Sequence, residues 1–440
     1  MPMSQKTKGN WRFNALRAKP AAYWLKFVGF FSLVGFLGYQ SAAHSIANIV
    51  WQQNPGLALQ FAHDHPLALS LKADMQFLDS QNPDSLLKVE AIARQSLKGQ
   101  PLNAVAVRLL GYFADVRGDK IKARKLMMLA HKISRRDFGT QLWLIEDAVA
   151  KGDKRKALYH YDIAMRATIS SHQILFPTLV GALNDPEVRE GLAPYIRHHP
   201  NWLPGFLAQA ITTSQNLTNV VDLLIDLGRL PNQDSYEGLS NALLSTLATK
   251  SKFVEFRRYY RSLVGANDAT FGTVSLNNAT VGLRYPVAGW QLTNNPEIGG
   301  AFSLPNRFGR YTVTMFAGSG ERGELMRKYL FLKPGRYRFA ARYDAIEDAP
   351  DGEIRWDMQC SSANGNSIAW FSVSPINKGK YATARGLRWT GNAPTKCSIC
   401  KLPAAAINKV SNLFCAQLGR GLIMLQSYPD ASEFDHGVER

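Results

Sequence analysis

A long uncharged stretch near the N-terminus constrains this chain more than any other feature. From Phe27 to Ala62 there is no Asp, Glu, Lys or Arg, whereas the 26 residues before this stretch carry six cations and no acid. A bilayer-spanning helix needs roughly 20 apolar residues, and cations on one flank hold that flank in the cytoplasm. The sequence therefore predicts a transmembrane anchor over residues 24–49, preceded by a cytoplasmic basic tail over residues 1–23.

Two other interpretations of this segment stay open. The densest apolar run, from Phe27 to Tyr39, is short enough for a signal peptide, and residues 41–43 offer small side chains for cleavage. A buried core helix is the third interpretation. The favoured anchor predicts a single-pass protein of the bacterial inner membrane, with its N-terminus in the cytoplasm and its bulk in the periplasm.

A net charge of +18 would ordinarily suggest a nucleic-acid partner, but the distribution of the charge weakens that suggestion. A third of this charge belongs to the six cations that precede the uncharged stretch, where they act as a topology signal. The remainder is spread along the chain. We therefore expect no nucleic-acid partner.

All four cysteines, Cys360, Cys397, Cys400 and Cys415, lie in the last third of the chain. Export to an oxidising compartment favours disulfides over free thiols. Three pairings are open, of which we favour Cys360 with Cys397 and Cys400 with Cys415. A zinc site at Cys397-x-x-Cys400 is the alternative, but a second close pair of ligands is missing. The sequence predicts no metal and no other cofactor.

Residues 52–264 are typical of successive amphipathic helices separated by short polar breaks. The Gly-Asp pairs at 118–119 and 152–153 are 34 residues apart, and each precedes a basic stretch that leads to an alanine, Ala123 or Ala157. A small side chain lets two antiparallel helices approach closely, so these alanines are predicted crossing points. Each hairpin leaves one face uncovered until another stacks on it, which favours an array.

These units resemble tetratricopeptide repeats, whose period is 34 residues. Leu110-Gly111, Ala123 and Ala130 occupy the positions of that family's Leu-Gly pair and two small residues. The resemblance is specific over residues 101–167. It implies an α-solenoid over residues 52–264 that docks a protein partner.

The pattern changes near Gly265. Residues 265–280 are rich in Gly, Asn and Thr, as a linker is, and residues 281–428 contain short alternating runs between turn signals. Such runs predict an antiparallel β-sandwich or jelly roll, followed by a C-terminal tail over residues 429–440. The predicted fold class is therefore multi-domain, α then β: a transmembrane helix, a tetratricopeptide-like solenoid and a β-sandwich.

The β region resembles carbohydrate-binding jelly-roll modules. The resemblance rests on Trp290, on residues 330–337 leading into an alternating strand, and on Trp356-x-x-x-Cys360. It implies a polysaccharide ligand, because sugar rings stack on exposed aromatic faces beside polar groups. The alternative is that the tryptophans are core residues and the arginines an ordinary surface. The predicted ligand-binding residues are Trp370, Trp389, Arg336, Arg338 and Arg342.

A second basic concentration runs from residue 117 to residue 136. A solvated helix face is one explanation, and a groove for an acidic partner is the other. The predicted partner-binding residues are Lys120, Arg124, Lys125, Arg135 and Arg136.

No motif in the chain predicts catalysis. The G-x-G-x-x-G at residues 318–323 is followed by a strand pattern rather than a helix, so it indicates a hairpin loop. Glu353 and Asp357 on one strand would lie roughly 13 Å apart, beyond the roughly 5 to 9.5 Å that glycosidases use.

We therefore predict a non-catalytic, membrane-anchored scaffold of the cell envelope, for polysaccharide biosynthesis or export. The alternatives are a glycan-active enzyme with its site in the β-sandwich, and an assembly factor that binds only protein.

Overall fold

The computed structural model describes residues 21–79, 83–213, 215, 217–228, 236–318 and 323–331, and the backbone of six further strands between residues 335 and 418. The chain divides into two compact units. The N-terminal unit comprises Met1–Ser171 and the C-terminal unit comprises His172–Arg440.

Eight helices are described in the N-terminal unit, and consecutive helices pack as hairpins, α3 on α4, α5 on α6 and α7 on α8. The helices are α1 (Ala21–Val50), α2 (Pro55–Phe61), α3 (Pro66–Asp79), α4 (Pro83–Gly99), α5 (Ala104–Val116), α6 (Lys120–Ile133), α7 (Phe138–Ala150) and α8 (Lys154–Ala167).

The predicted period of 34 residues is confirmed in the backbone. The starts of α5 and α7 are 34 residues apart, as are those of α6 and α8. Asn103, Asp119, Asp137 and Asp153 cap these four helices by accepting a backbone N–H bond from three residues further on. Before α6 and α8, Gly118 and Gly152 have φ angles of +83° and +72°, which favour glycine.

Small side chains lie where the helices of each hairpin meet, as the sequence predicts. Ala123 is fully buried and Ala157 nearly so. Gly111 of α5 faces Met127 of α6 so closely that a Cβ at position 111 would lie 2.9 Å from the Met127 Cε. The hairpin of α5 and α6 therefore depends on glycine at position 111.

The prediction of a transmembrane anchor over residues 24–49 is wrong. Among the described residues, no helix is both long enough and apolar enough to cross a bilayer. Although α1 has 30 residues, Lys26 lies near its start and Gln40, His44 and Asn48 interrupt its second half. The apolar run between them falls short of the roughly 20 residues a span needs. The predicted single-pass inner-membrane location is therefore wrong as well, and membrane contact through this helix is not shown.

The second half of α1 instead packs within the helical stack. Ala47 forms a buried cluster with Ala58, Ala62 and Ala68. Beside this cluster, the Nε2 of His65 lies 2.9 Å from the Oδ1 of Asn48. Asn48, one of the polar residues that interrupt the apolar run, thus contacts the residue that precedes α3. Residues 1–20 of the predicted basic tail lie outside the described residues.

The described helices of the C-terminal unit precede its strands. They are α9 (Ser171–Ala182, which begins at the last residue of the N-terminal unit), α10 (Pro186–Arg197), α11 (Leu203–Thr213), α12 (Leu217–Asp226), α13 (Glu237–Thr249) and α14 (Phe253–Ser262), followed by short 3-10 helices at Asp268–Gly272 and Pro286–Ala288.

The strands form two five-stranded antiparallel sheets, ordered β1-β4-β9-β6-β7 and β2-β3-β10-β5-β8. The strands are β1 (Gln291–Leu292), β2 (Ile298–Phe302), β3 (Thr312–Ala317), β4 (Glu324–Leu330), β5 (Gly335–Glu347), β6 (Ile354–Cys360), β7 (Ser367–Val373), β8 (Tyr381–Trp389), β9 (Thr395–Cys400) and β10 (Ala406–Leu418).

The predicted β-sandwich or jelly roll is wrong as a fold class, because the described residues form a helical region followed by a strand region with no sandwich evident. Strand β4 illustrates the physical reason. Leu325, Met326, Lys328, Tyr329 and Leu330 are all buried, so both faces of this strand are covered. Helix α14 covers one face, where the Phe253 and Tyr329 rings are 5.2 Å apart.

The segment between the helices and the strands is packed into the C-terminal unit. Phe271, Val274 and Leu276, which lie within the predicted linker, are each at most 3% exposed. Phe271 joins an aromatic cluster that connects α14 to β4. The members of this cluster are Phe253, Phe256, Tyr260, Phe271, Tyr329 and Phe331.

Candidate functional site

A buried arginine joins three helices of the N-terminal unit. The guanidinium of Arg108 in α5 donates two hydrogen bonds to Asp74 of α3, at 2.7 and 2.9 Å. It donates a third, at 2.8 Å, to Asp137, the residue that caps α7. The Tyr112 ring lies 5.4 Å from the guanidinium carbon, and the Tyr112 hydroxyl donates to the Gly139 carbonyl.

The electrostatics of Arg108 are those of a structural ion pair. Burial by itself lowers the pKa of the guanidinium, but the hydrogen bonds and charges of Asp74 and Asp137 outweigh burial and raise this pKa. A Cβ at Gly139 would lie 2.9 Å from Arg108 side-chain atoms, so glycine leaves room for the arginine. Sequence reasoning missed Arg108. Its signal is a lone charge within the otherwise uncharged residues 104–114.

Two buried histidines form a second polar cluster. The Nε2 of Gln141 donates to the Nδ1 of His131 at 3.0 Å and to the Arg135 carbonyl at 3.0 Å. The Oε1 of Gln141 accepts from the Nδ1 of His160 at 2.9 Å. Burial lowers the pKa of His160 to about 4, with smaller contributions from the nearby charges of His131 and Lys156. Among the described residues, no group of three or more His, Cys, Asp or Glu could hold a metal ion.

The histidine cluster makes stability depend on pH. The folded state keeps His160 neutral down to about pH 4, whereas an unfolded histidine takes up a proton near pH 6.5. The unfolded state therefore binds more protons between these values, so stability is full above pH 6.5 and falls as the pH drops towards 4. The expected loss is at most about 3 kcal/mol.

Urea unfolding of the wild type and of His160→Gln, measured from pH 7.5 down to 4, checks this prediction. The variant should have a shallower pH dependence, with only smaller contributions of the same sign remaining from His65 and His131. Equal slopes in both proteins would contradict the assignment to His160.

Two of the predicted partner-binding cations form ion pairs within the helical stack. The Nζ of Lys120 lies 2.6 Å from an oxygen of Asp115. Arg124 donates to both oxygens of Asp147 at 2.9 and 2.7 Å, and these hydrogen bonds hold the pKa of Asp147 down to about 2. Arg124 therefore stabilises the hairpin array and is poorly placed to receive a partner.

The other three predicted cations, Lys125, Arg135 and Arg136, are exposed. Near them lie exposed apolar side chains that sequence reasoning did not single out. Ile121 is 68% exposed, Leu129 is 45% exposed and Tyr159 is 39% exposed. Helices α6 and α8 thus expose both cations, such as Lys125, and apolar side chains.

The predicted ligand-binding residues are distributed over both sheets. Trp370 lies on β7 of one sheet, whereas Trp389 on β8 and the three arginines Arg336, Arg338 and Arg342 on β5 belong to the other. The side chains of these five residues lie outside the described part of the chain. Trp290 is described and is buried, and its Nε1 donates to the Val274 carbonyl at 3.0 Å.

The cysteine predictions also fall on strands whose side chains are outside the description. Cys360 ends β6, Cys397 and Cys400 lie on β9, and Cys415 lies on β10. No disulfide is seen among the side chains that the structure describes, and the pairing stays a prediction.

Comparisons with known proteins find only weak similarity. No family model matches the chain, so the tetratricopeptide resemblance is not confirmed, and no curated protein matches it. The chain is similar to the C-terminal family 22 carbohydrate binding module of Clostridium thermocellum Xyn10B, with 15% identity and a TM-score of 0.25 over 35% of this chain and 97% of that one. It is similar to TmCBM61, solved in complex with beta-1,4-galactotriose, with 11% identity and a TM-score of 0.22 over 30% of this chain and 90% of that one. Scores this low carry no conclusion about fold or ligand.

Proposed function

We propose that this chain is a non-catalytic binding protein that docks a partner protein on its helical hairpins and contacts carbohydrate through its strand region. It would act as a scaffold in an assembly that makes or exports polysaccharide.

The observation that carries this proposal is that carboxylate and guanidinium groups with shifted pKa values form ion pairs between packed elements. Perturbed pKa values often mark catalytic sites, but ion pairs between packed elements perturb them equally. Arg108 is held between two carboxylates from neighbouring helices. In the C-terminal unit, hydrogen bonds from Arg257 and then Arg261 lower the pKa of Asp268. These groups stabilise the packing of the helices. We therefore assign the function of the chain to its exposed side chains, which act by binding.

The register of the second sheet supports a ligand surface that includes Arg342. Val313 and Met315 of β3 are buried, so Thr312 belongs to the opposite, open side of that strand. Thr312 pairs with Ser411 of β10, and Ser411 pairs with Arg342 of β5. Directly paired residues share one side of a sheet. Arg342 therefore lies in register with Thr312, and we assign this row of strand positions to the ligand surface.

Affinity electrophoresis of the full chain in gels containing β-1,4-galactan or alginate tests the carbohydrate half of the proposal. We expect retardation that Trp370→Ala and Trp389→Ala reduce at least roughly tenfold, equivalent to about 1.4 kcal/mol for each loss. Trp24→Ala removes an exposed tryptophan from α1 and serves as the matched control.

The outcomes separate the alternative functions. Release of sugar products during long incubation would identify a glycan-active enzyme and overturn the non-catalytic proposal. Retardation that neither strand variant changes would place carbohydrate contact elsewhere. Absence of retardation in every gel would leave an assembly factor that binds only protein.

A further inference from the structure

The second helices of the two repeats, α6 and α8, expose one composite surface. Stacked repeats place equivalent positions side by side, and Lys125 and Tyr159 are equivalent because they are 34 residues apart. The helices meet where the His131 and Tyr159 rings are 6.3 Å apart. Tyr159 therefore lies beside the C-terminal half of α6. We define the α6/α8 face as Ile121, Lys125, Leu129, Lys132 and Tyr159.

The α6/α8 face alternates apolar and cationic side chains. Along α6, Ile121, Lys125, Leu129 and Lys132 are spaced by four, four and three residues, and all four are exposed. This spacing aligns them on one side of a helix over about 17 Å. Single exposed apolar residues are ordinary, but a repeated alternation with cations is not what a simple solvated face requires.

Acids of neighbouring helices pair with Lys120 and Arg124 of α6, but none of the ion pairs between described residues involves Lys125 or Lys132. Helix α6 contains five cations and no acid, and α8 contains four cations and one acid, Asp162. Asp162 accepts from Arg166 at 2.7 Å. Lys125 has Ile121 and Leu129 at the positions four residues away, where a solvated helix gains from Glu or Asp. The α6/α8 face therefore has an uncompensated positive potential beside its apolar side chains.

This combination fits an amphipathic helix with acidic margins. Such a helix presents apolar anchors at spacings of three and four residues, and flanking carboxylates would pair with Lys125 and Lys132. A polysaccharide fits less well, because Tyr159 offers a single ring for a sugar to stack on, whereas Ile121 and Leu129 are aliphatic. Charge complementarity together with the apolar spacing thus selects a protein segment as the occupant.

We propose that the α6/α8 face docks an acidic amphipathic helix of a partner protein. This inference rests on the proposed function, whose protein-docking half it makes specific. It also relocates the docking site from the predicted partner-binding set, since Arg124 is occupied by Asp147. Of that set, Lys125 remains in the site, and Ile121, Leu129, Lys132 and Tyr159 join it.

Fluorescence anisotropy with a labelled peptide of about 18 residues, carrying leucines at helical spacing and glutamates beside them, tests the proposal on the full chain. We expect binding to the wild type that the double variant Lys125→Glu, Lys132→Glu weakens at least roughly tenfold. Leu129→Ser should weaken binding several-fold and does not change charge. A peptide with serines in place of leucines should bind at least roughly tenfold more weakly than its parent.

The matched control is Lys88→Glu with Lys98→Glu, which makes the same charge change at exposed positions of α4. This control should retain affinity within about twofold of wild type. Equal weakening by both double variants would show attraction to overall charge only and overturn the docking face. No binding of the peptide to the wild type would also overturn it.

The same experiment distinguishes failure of this inference from failure of the proposed function. Peptide binding that survives both Lys125→Glu, Lys132→Glu and Leu129→Ser places partner docking elsewhere and leaves the proposed function standing. If the wild type neither binds the peptide nor is retarded by carbohydrate, the docking inference and the proposed function are both overturned.

Discussion

Replacing Arg108 with methionine is expected to lower the free energy of unfolding of the N-terminal unit by about 3–5 kcal/mol. Methionine fills much of the same volume but leaves Asp74 and Asp137 without their buried cation. The Asp137 side chain is 9% exposed and that of Asp74 is 21% exposed, so water can solvate them only in part. An unpaired carboxylate in this position costs far more than the lost ion pair contributes.

Urea unfolding followed by circular dichroism measures this effect, and Arg124→Met provides the matched control. Arg124 also pairs with a carboxylate on a neighbouring helix, but its side chain is 34% exposed. Its removal should cost about 1 kcal/mol or less. Similar losses in both variants would contradict the role assigned to burial at Arg108.

Neutralising the two carboxylates should rescue the Arg108 variant. Adding Asp74→Asn and Asp137→Asn to Arg108→Met removes the uncompensated charges while an amide at position 137 can still cap α7. We expect the triple variant to recover part of the lost stability. A triple variant that is no more stable than Arg108→Met would contradict the assignment of the loss to uncompensated carboxylates.

The sequence predicts the hairpin period well because its signals are local. A capping carboxylate, the preceding glycine and an alanine four residues after the cap lie within six residues of one another, as at Gly118, Asp119 and Ala123. The Arg108 contacts are different in kind. Asp74 and Asp137 are 34 and 29 residues away, so no local pattern brings them together.

The wrong predictions share a physical cause, which is packing that a pattern does not specify. The uncharged stretch resembles a membrane span because small side chains such as Ala43 and Ala47 are apolar whether they face lipid or another helix. In the structure both are buried. The β-sandwich prediction assumes strands with one open face, but on β4 even Lys328 is fully buried, and its Nζ donates to the Ala288 carbonyl at 3.2 Å. In both cases, neighbouring helices or loops bury residues that the sequence pattern alone would place against lipid or solvent.

Truncating Phe256 to alanine is expected to destabilise the C-terminal unit by about 3–5 kcal/mol. The Phe256 ring is fully buried at the centre of the aromatic cluster. Its centroid lies 5.7 Å from that of Phe271, 6.2 Å from that of Tyr329 and 6.3 Å from that of Phe331. Alanine removes contacts to the helix–strand connection and to β4 together, and the rigid neighbouring rings cannot fill the cavity fully.

Hydrogen exchange read by mass spectrometry on peptides covering α14 and β4 shows whether the cluster couples the two elements. Because Phe256 contacts residues on both sides of the predicted linker, Phe256→Ala should reduce protection in both peptides by a similar free energy. Val254→Ala, at a position 66% exposed on the same helix, should reduce protection in neither. Reduced protection in α14 alone would indicate that the helices and strands unfold independently. Reduced protection in both would mean that residues 265–280 transmit stability between helices and strands, because their buried side chains belong to a shared core.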